Sequence, residues 1–139
     1  MQIEAFLLCE TASTAHGSLS VLHAFDTIVS TQFPIDLPLT IALRIRFSRV
    51  EEGEHPVRIL IIDEDGNRLG TLSGTVGVRV PEESSLSNLS FAGRVKIERP
   101  GIYAVDLAID NRQLMSLPLY VKAPPEGIKE PEGEFPNLS

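Results

Sequence analysis

The stretch that decides the fold is Thr40–Ser48, which reads TIALRIRFS. Successive side chains of a β-strand point to opposite faces, so a half-buried strand alternates apolar and polar residues. This stretch alternates in that way: Ile41, Leu43, Ile45 and Phe47 on one face, and Ala42, Arg44, Arg46 and Ser48 on the other. The pattern predicts a β-strand.

The same alternation recurs along the body of the chain, whereas no window keeps apolar residues at helical spacing. The further predicted strands are 2–10, 17–30, 56–63, 68–80, 89–97, 103–110 and 113–122. Turn residues such as Asp63–Asn67 separate them, and Gly66 in that turn accepts a positive φ readily. About eight strands at this spacing predict an all-β fold, an antiparallel β-sandwich that is immunoglobulin-like or Greek-key.

Three strands carry finer predictions. Leu60 and Ile62 make both faces of the 56–63 strand apolar, which predicts a central position. Pro118 cannot donate a ladder hydrogen bond, so it predicts an edge or a bulge. Three glycines make a bulge plausible in the 68–80 strand. The Ser- and Glu-rich segment Pro81–Asn88 is predicted to be a loop.

Composition bounds the function. The 139 residues carry 12 Lys+Arg against 19 Asp+Glu, a net charge of −7, and 42% of them are hydrophobic. A disordered chain is excluded by the apolar fraction, and nucleic acid is not an expected partner because basic residues supply that affinity. One Cys excludes a disulfide framework and a multi-Cys metal site. No apolar run is long enough to span a bilayer, so no membrane partner is expected.

The two ends differ from the body. No basic residue precedes the short apolar run Phe6–Cys9, so we expect no signal peptide and a cytoplasmic protein. Residues 123–139 hold four Pro, four Glu and one Lys. The predicted organisation is therefore a β-sandwich domain, 1–122, followed by an extended or disordered tail, 123–139. Phe135 and Leu138 of the tail are candidates for docking on the domain or on a partner.

No catalytic constellation is recognisable. Cys9 lies in the middle of a predicted strand, which favours a buried thiol over a nucleophile. His23 shares a predicted face with Val21 and Phe25, which favours a core histidine. His55 follows several glutamates and is expected in a solvated loop. The sequence predicts no catalytic residues, no cofactor and no enzyme activity.

One turn resembles the opening of a calcium loop. Asp63, Asp65 and Asn67 alternate as oxygen ligands do in such loops, but Gly74 stands where an EF-hand places its closing Glu. The same residues suit a plain hairpin turn. For a calcium site, further ligands would come from neighbouring loops: Asp26, Asp36, Asp106 and Asp110.

Four arginines on alternating positions raise a second candidate site. If their strands are neighbours, they form a patch for anions or acidic partners; these residues are Arg44, Arg46, Arg58 and Arg94. The alternative is cross-strand pairing with Asp106, Asp110 or Glu98 as ordinary surface charge.

Several motifs together resemble a known family. The segments FLLCE, HAFDTI, FPIDLPLTIALRIRF, EEGEHPVRILIIDEDGNRL and RPGIYAVDLAIDNRQLMSLPLYV are similar to a family of uncharacterised bacterial all-β proteins, over residues 1–122. The resemblance implies the fold and brings no catalytic residues. The segment Arg99–Tyr103 also resembles the last hairpin of immunoglobulin-like modules, where a Tyr packs at the end of the sandwich.

These observations predict a non-catalytic β-sandwich protein, a protein-interaction or structural module. The expected partner is a protein, or a second copy of the chain bound through an uncapped edge strand. The expected contact surfaces are the loops Glu51–His55 and Pro81–Asn88. The alternative is a sandwich module that binds calcium or a small ligand.

Overall fold

A computed structural model describes residues 1–125 of the chain. It has nine strands there: β1 (Gln2–Ser13), β2 (Ser20–Ala24), β3 (Thr27–Val29), β4 (Ile35–Ser48), β5 (Gly53–Ile62), β6 (Arg68–Val78), β7 (Ser84–Ile97), β8 (Gly101–Ile109) and β9 (Arg112–Lys122). Two short 3₁₀ turns lie at Ala15–Gly17 and Arg49–Glu51. Within 1–125, no helix has the length and apolarity that a membrane span needs.

The strands form two sheets. The four-stranded sheet has the order β2-β1-β4-β7, and the five-stranded sheet has the order β3-β9-β8-β5-β6. All neighbours pair antiparallel except β3, which runs parallel to β9 with Thr27 opposite Tyr120. The predicted all-β sandwich is confirmed. The parallel pair was not predicted, because a strand of three residues is too short to show a periodic pattern.

The core lies between the two sheets and follows the alternation in the sequence. The inward residues of β4, from Leu37 to Phe47, are all at most 2% exposed. They face the inward residues of the other sheet, among them Ile59 and Leu107. Buried Tyr103 donates its hydroxyl to the carbonyl of Arg99 at 2.6 Å, which satisfies its polar atom inside the apolar core.

One lateral side of the sandwich is closed where β6 meets β7. A Cβ on Gly93 would lie 2.7 Å from Cδ2 of Leu72, and a Cβ on Gly74 would lie 3.2 Å from Phe91. Glycine at both positions therefore lets the edges of the two sheets approach closely. The opposite side lies between β1 and β9.

The predicted strand 17–30 is wrong as a single element. The chain leaves the four-stranded sheet after Ala24 and enters the other sheet at Thr27, so the segment becomes β2 and β3. His23 has a φ of 54°, its side chain is 56% exposed, and its Nδ1 lies 2.6 Å from Glu10 Oε2. The prediction of a core histidine is wrong, because the left-handed backbone at His23 breaks the alternation on which that prediction depended.

Two predicted loops are also partly wrong. His55 lies in β5, and its side chain is only 12% exposed. β7 begins at Ser84, so most of the predicted loop Pro81–Asn88 is strand. The pairing of Ser84 with Ser48 explains this second result, since the long β4 supplies backbone partners to a segment that is polar.

Other strand predictions are confirmed. Cys9 is fully buried, and β5 is central, between β8 and β6. Ile61 faces Gly70 while Ile62 faces Arg68, which leaves Leu69 as the extra residue of a bulge. The predicted tail from residue 126 onward, with its two candidate docking residues, lies outside the described residues.

Candidate binding cleft between two strand edges

A cleft opens on the lateral side of the sandwich between β1 and β9. It encloses about 370 Å³. It is lined by residues of β1, of the crossing between the sheets, and of β9: Phe6, Leu7, Leu8, Ala24, Phe25, Asp26, Leu117 and Pro118. All but one of these residues are apolar. The cleft is therefore an opening into the apolar layer between the two sheets.

The β1 side of the cleft is an edge that is only partly paired. β2 pairs with β1 from Cys9 to Ser13, and Phe25 donates its N–H to the carbonyl of Leu8 at 3.0 Å. No described strand pairs with the outer side of β1 before Leu8. Because backbone groups alternate sides along a strand, the N–H and C=O of Phe6 point outward, as those of Leu8 do. This edge presents one backbone donor and one acceptor, both of Phe6, beside the cleft.

The β9 side is also an incomplete edge, but it is blunted. β3 pairs with β9 only from Tyr120 to Lys122, and Tyr120 donates its N–H to the carbonyl of Asp26 at 2.7 Å. By the same alternation, Pro118 and Ser116 also turn their outward side to the open edge. Pro118 has no N–H, so it adds no donor there. The predicted edge position of Pro118 is confirmed.

Apolar side chains remain accessible around this opening. Leu7 on β1, which lines the cleft, is 39% exposed. Leu117 and Phe25 are half-buried and pack against the core. Apolar surface that borders a cleft is a common property of protein and ligand binding sites.

Asp26 is the only charged residue that lines the cleft among the described residues. It is exposed, and its Oδ1 accepts a hydrogen bond from the Thr27 hydroxyl at 2.8 Å. Its backbone carbonyl holds β9, so the residue is anchored while its second carboxylate oxygen is not engaged by another described residue. The cleft thus combines apolar walls with one negative charge at the end where the chain crosses between sheets.

A separate polar cluster surrounds His55. Its Nδ1 lies 2.8 Å from Asp110 Oδ2, its Nε2 faces the carbonyl of Glu51, and its ring stacks on Phe47 with centroids 5.0 Å apart. The Glu51 carbonyl and the Asp110 carboxylate raise the pKa of His55, although burial opposes them. With an acceptor at each ring nitrogen, the imidazolium form fits best and leaves no lone pair for a general base.

The Ser48 hydroxyl lies near this cluster but is hydrogen-bonded to Glu51 and not to His55. Ser48 donates its hydroxyl to Glu51 Oε1 at 3.0 Å, and Glu51 Oε2 lies 2.8 Å from the N-terminal ammonium of Met1. Serine, histidine and carboxylate are thus close in the chain, but the serine does not contact the histidine. The cluster joins the N-terminus, the Arg49–Glu51 turn, β5 and the β8–β9 turn.

The candidate calcium ligands stabilise their own turn. Asp63 Oδ1 accepts the N–H groups of Asp65 and Asn67 at 2.9 and 2.8 Å, and its Oδ2 accepts the Asn67 side-chain amide. Asp65 pairs with Arg99 at 3.0 Å. Within residues 1–125, no three His, Cys, Asp or Glu side chains are grouped so as to hold a metal ion. The observed contacts are those of a hairpin turn.

The four arginines do not form one patch. Arg58 lies on β5 in the other sheet from the remaining three. Arg44 and Arg46 bind Glu4 at 3.0 and 2.6 Å and thereby lower its pKa. Arg94 pairs with Asp36 at 3.2 Å. The cross-strand pairing alternative is the observed one, but with other partners than those predicted, since Asp106 binds Ser116, Asp110 binds His55 and Glu98 binds Lys96.

Sequence reasoning missed the cleft. Its walls combine buried residues such as Phe6 and Leu8 with exposed ones such as Leu7, and only the pairing order shows that no described strand covers them. The available signal was Pro118, which indicated an edge, together with Leu7 on the outward face of β1. Neither residue shows by itself that the two edges lie on the same side of the sandwich.

The fold and the cleft define a class: a two-sheet β-sandwich with an apolar opening between two strand edges. Comparison with family models identifies the family of the chain. Residues 4–122 match a family of unknown function, DUF6941, and the chain belongs to that family. No curated protein matches the chain.

Proposed function

We propose that the protein is a non-catalytic interaction module whose cleft between β1 and β9 binds an extended segment of a partner protein. The observation that carries the proposal is that both sheets leave an edge unpaired, among the described residues, on the same side of an apolar opening. An added strand binds through backbone hydrogen bonds at an edge and through alternate side chains in pockets. The cleft offers both kinds of contact.

The chemistry of the lining supports a binding role over a catalytic one. Asp26 is the one titratable side chain on the described walls, and no histidine, serine or cysteine lines them beside it. Cys9 is buried with its thiol directed to the Thr40 carbonyl, and His55 belongs to the separate cluster. None of these groups is placed to act on a molecule in the cleft.

The sequence predictions of a cytoplasmic location and a bacterial source stay predictions, as does the calcium-binding alternative. No observed contact favours calcium at the Asp63 turn, whose side-chain oxygens already accept hydrogen bonds within it. The two segments that sequence reasoning favoured as contact surfaces, Glu51–His55 and Pro81–Asn88, stay predictions as such, although parts of both are strand and not loop.

The test is a selection of short random peptides displayed on phage, with the full-length protein as target. Leu7→Arg places a charge at the mouth of the cleft on a side chain that is 39% exposed, so we expect it to fold. Leu22→Arg is the matched control, since Leu22 is 52% exposed on β2 and does not line the cleft.

We expect enriched peptides that bind the wild type and Leu22→Arg equally and bind Leu7→Arg about tenfold more weakly. No enrichment over an unrelated protein, or equal binding to all three proteins, would contradict the proposed site.

A further inference from the structure

Resting on the proposed function, we infer the chemistry of the bound segment: it is a strand that pairs with the edge of β1, not with that of β9, and it carries a Lys or Arg beside Asp26. The two edges of the cleft are not equivalent. The backbone groups at the two edges favour β1 as the strand to which the partner pairs. The single charge of Asp26 favours a basic residue at the end of the partner strand that lies beside it.

The choice of β1 follows from the backbone donors at the two edges. Phe6 presents both its N–H and its C=O to the open side, and no proline lies in β1. On β9, Pro118 interrupts the outward donors next to the cleft. Proline on an edge is a known device against strand addition. A partner strand therefore finds its hydrogen bonds on β1, and its inward side chains lie against Leu117.

The choice of a basic residue follows from the position of Asp26. The free edge of β1 ends at Leu8, because the N–H of Phe25 donates to the Leu8 carbonyl. Asp26 directly follows Phe25 in the chain. A strand on β1 thus ends beside the Asp26 carboxylate, whose Oδ2 has no partner among the described residues. The net charge of −7 also attracts a basic segment.

A second copy of the chain fits this edge poorly. If β1 paired antiparallel with another β1 about Phe6, residues 2 and 3 of one copy would lie opposite residues 9 and 10 of the other. That position is already occupied by β2, which pairs with Cys9 through Ala24. A single extended segment, without a neighbouring strand of its own, avoids this collision.

The experiment uses the full-length protein and one synthetic peptide from the selection that has a lysine at its end. Binding is measured by calorimetry for the wild type and for Asp26→Lys, each with the lysine peptide and with its Lys→Glu form. We expect Asp26→Lys to weaken the lysine peptide about tenfold at low salt and the Lys→Glu peptide to regain that loss on Asp26→Lys. Asp36→Lys is the control, because Asp36 does not line the cleft.

Hydrogen exchange then identifies the pairing strand. Bound peptide is expected to slow exchange of the Phe6 amide at least tenfold and to leave the Ser116 amide unchanged. Protection of Ser116 instead of Phe6, or no preference of Asp26→Lys for the Lys→Glu peptide, overturns the inference while leaving the cleft as the binding site.

Two other possible occupants of the cleft are tested with variants of the full-length protein. A dimer of the free protein that Leu7→Arg dissociates would show a second copy in the cleft. Tighter peptide binding by the full-length Phe135→Ala variant would show that the C-terminal segment competes for it. Either result overturns the inference, and a failure of all selected peptides overturns the proposed function with it.

Discussion

At the scale of single residues, His55 shows how a polar group is held at the rim of an apolar core. The fully buried Phe47 stacks on the imidazole ring. The Asp110 carboxylate is hydrogen-bonded to Nδ1, and the Glu51 carbonyl to Nε2. The N-terminal ammonium of Met1 neutralises the Glu51 side chain in the same cluster. The arrangement stabilises charged His55.

This cluster predicts a loss of stability as the pH rises above about 6.5. The pKa of His55 is raised from 6.5 in the folded state, so its contribution to the free energy of unfolding is complete below about pH 6.5. That contribution is lost as the pH rises through the higher folded value. Thermal unfolding measured from about pH 6 to pH 9 is expected to show the decline.

The control for that prediction is Asp110→Asn, which removes the carboxylate and tolerates the φ of 55° at this position. We expect a smaller decline of Tm with pH in this variant. An equal decline in the wild type and in Asp110→Asn would assign the pH dependence to other groups.

Cys9 carries a second residue-scale prediction. Burial raises the pKa of its thiol, and its Sγ lies 3.6 Å from the Thr40 carbonyl. Since the thiolate is the reactive species, native protein should react with iodoacetamide at least about 100-fold more slowly than unfolded protein. Mass spectrometry of timed samples measures this ratio, and fast labelling of folded protein would show that Cys9 is accessible.

At the scale of elements, the β8–β9 hairpin shows turn chemistry that matches strand twist. Asp110 and Asn111 have φ values of 55° and 63°, the left-handed pair of a type I′ turn. Asp and Asn are residue types that tolerate this left-handed conformation. Glycine suits the second position at least as well as asparagine, whereas a β-branched residue does not.

Asn111→Val is therefore expected to lower the free energy of unfolding by about 1–2 kcal/mol. Asn111→Gly, the matched variant without a Cβ, is expected to be within about 0.5 kcal/mol of the wild type. Denaturant unfolding measures both. Equal stability of the Val and Gly variants would mean that the turn relaxes to another conformation.

Pro118 gives the second element-scale prediction. Pro118→Val adds an outward N–H to the open edge of β9 and should produce concentration-dependent association. Ser116→Val adds apolar surface to the same edge without a new donor and should stay at the oligomeric state of the wild type. Light scattering over a concentration series separates the two, and association by Ser116→Val alone would point to apolar contact as the cause.

Strands with uninterrupted alternation, such as β4 and β8, were predicted because burial and periodicity agree there. The segment 17–30 was predicted as one strand but forms two, because the left-handed backbone at His23 and the crossing at Phe25 interrupt it. The prediction of a solvated His55 failed because its carboxylate partner Asp110 is distant in sequence.

At the scale of the whole molecule, the sandwich is asymmetric. One lateral side is closed by the approach of β6 to β7 at two glycines, and the other carries the cleft. The cleft depends on the strand order, and the alternation in the sequence does not reveal that order. The cleft was therefore found only in the structure. The described edge of β1 and the apolar lining are the two observations that support the proposed binding surface on this side.

The most direct test of this account is an ¹⁵N NMR titration of the full-length protein with a selected peptide. We expect shift changes that concentrate on Phe6, Leu8 and Leu117, with little change at His55 or in residues 81–83. Shift changes centred on His55 or on residues 81–83 instead, with the cleft residues unaffected, would show that the peptide binds elsewhere.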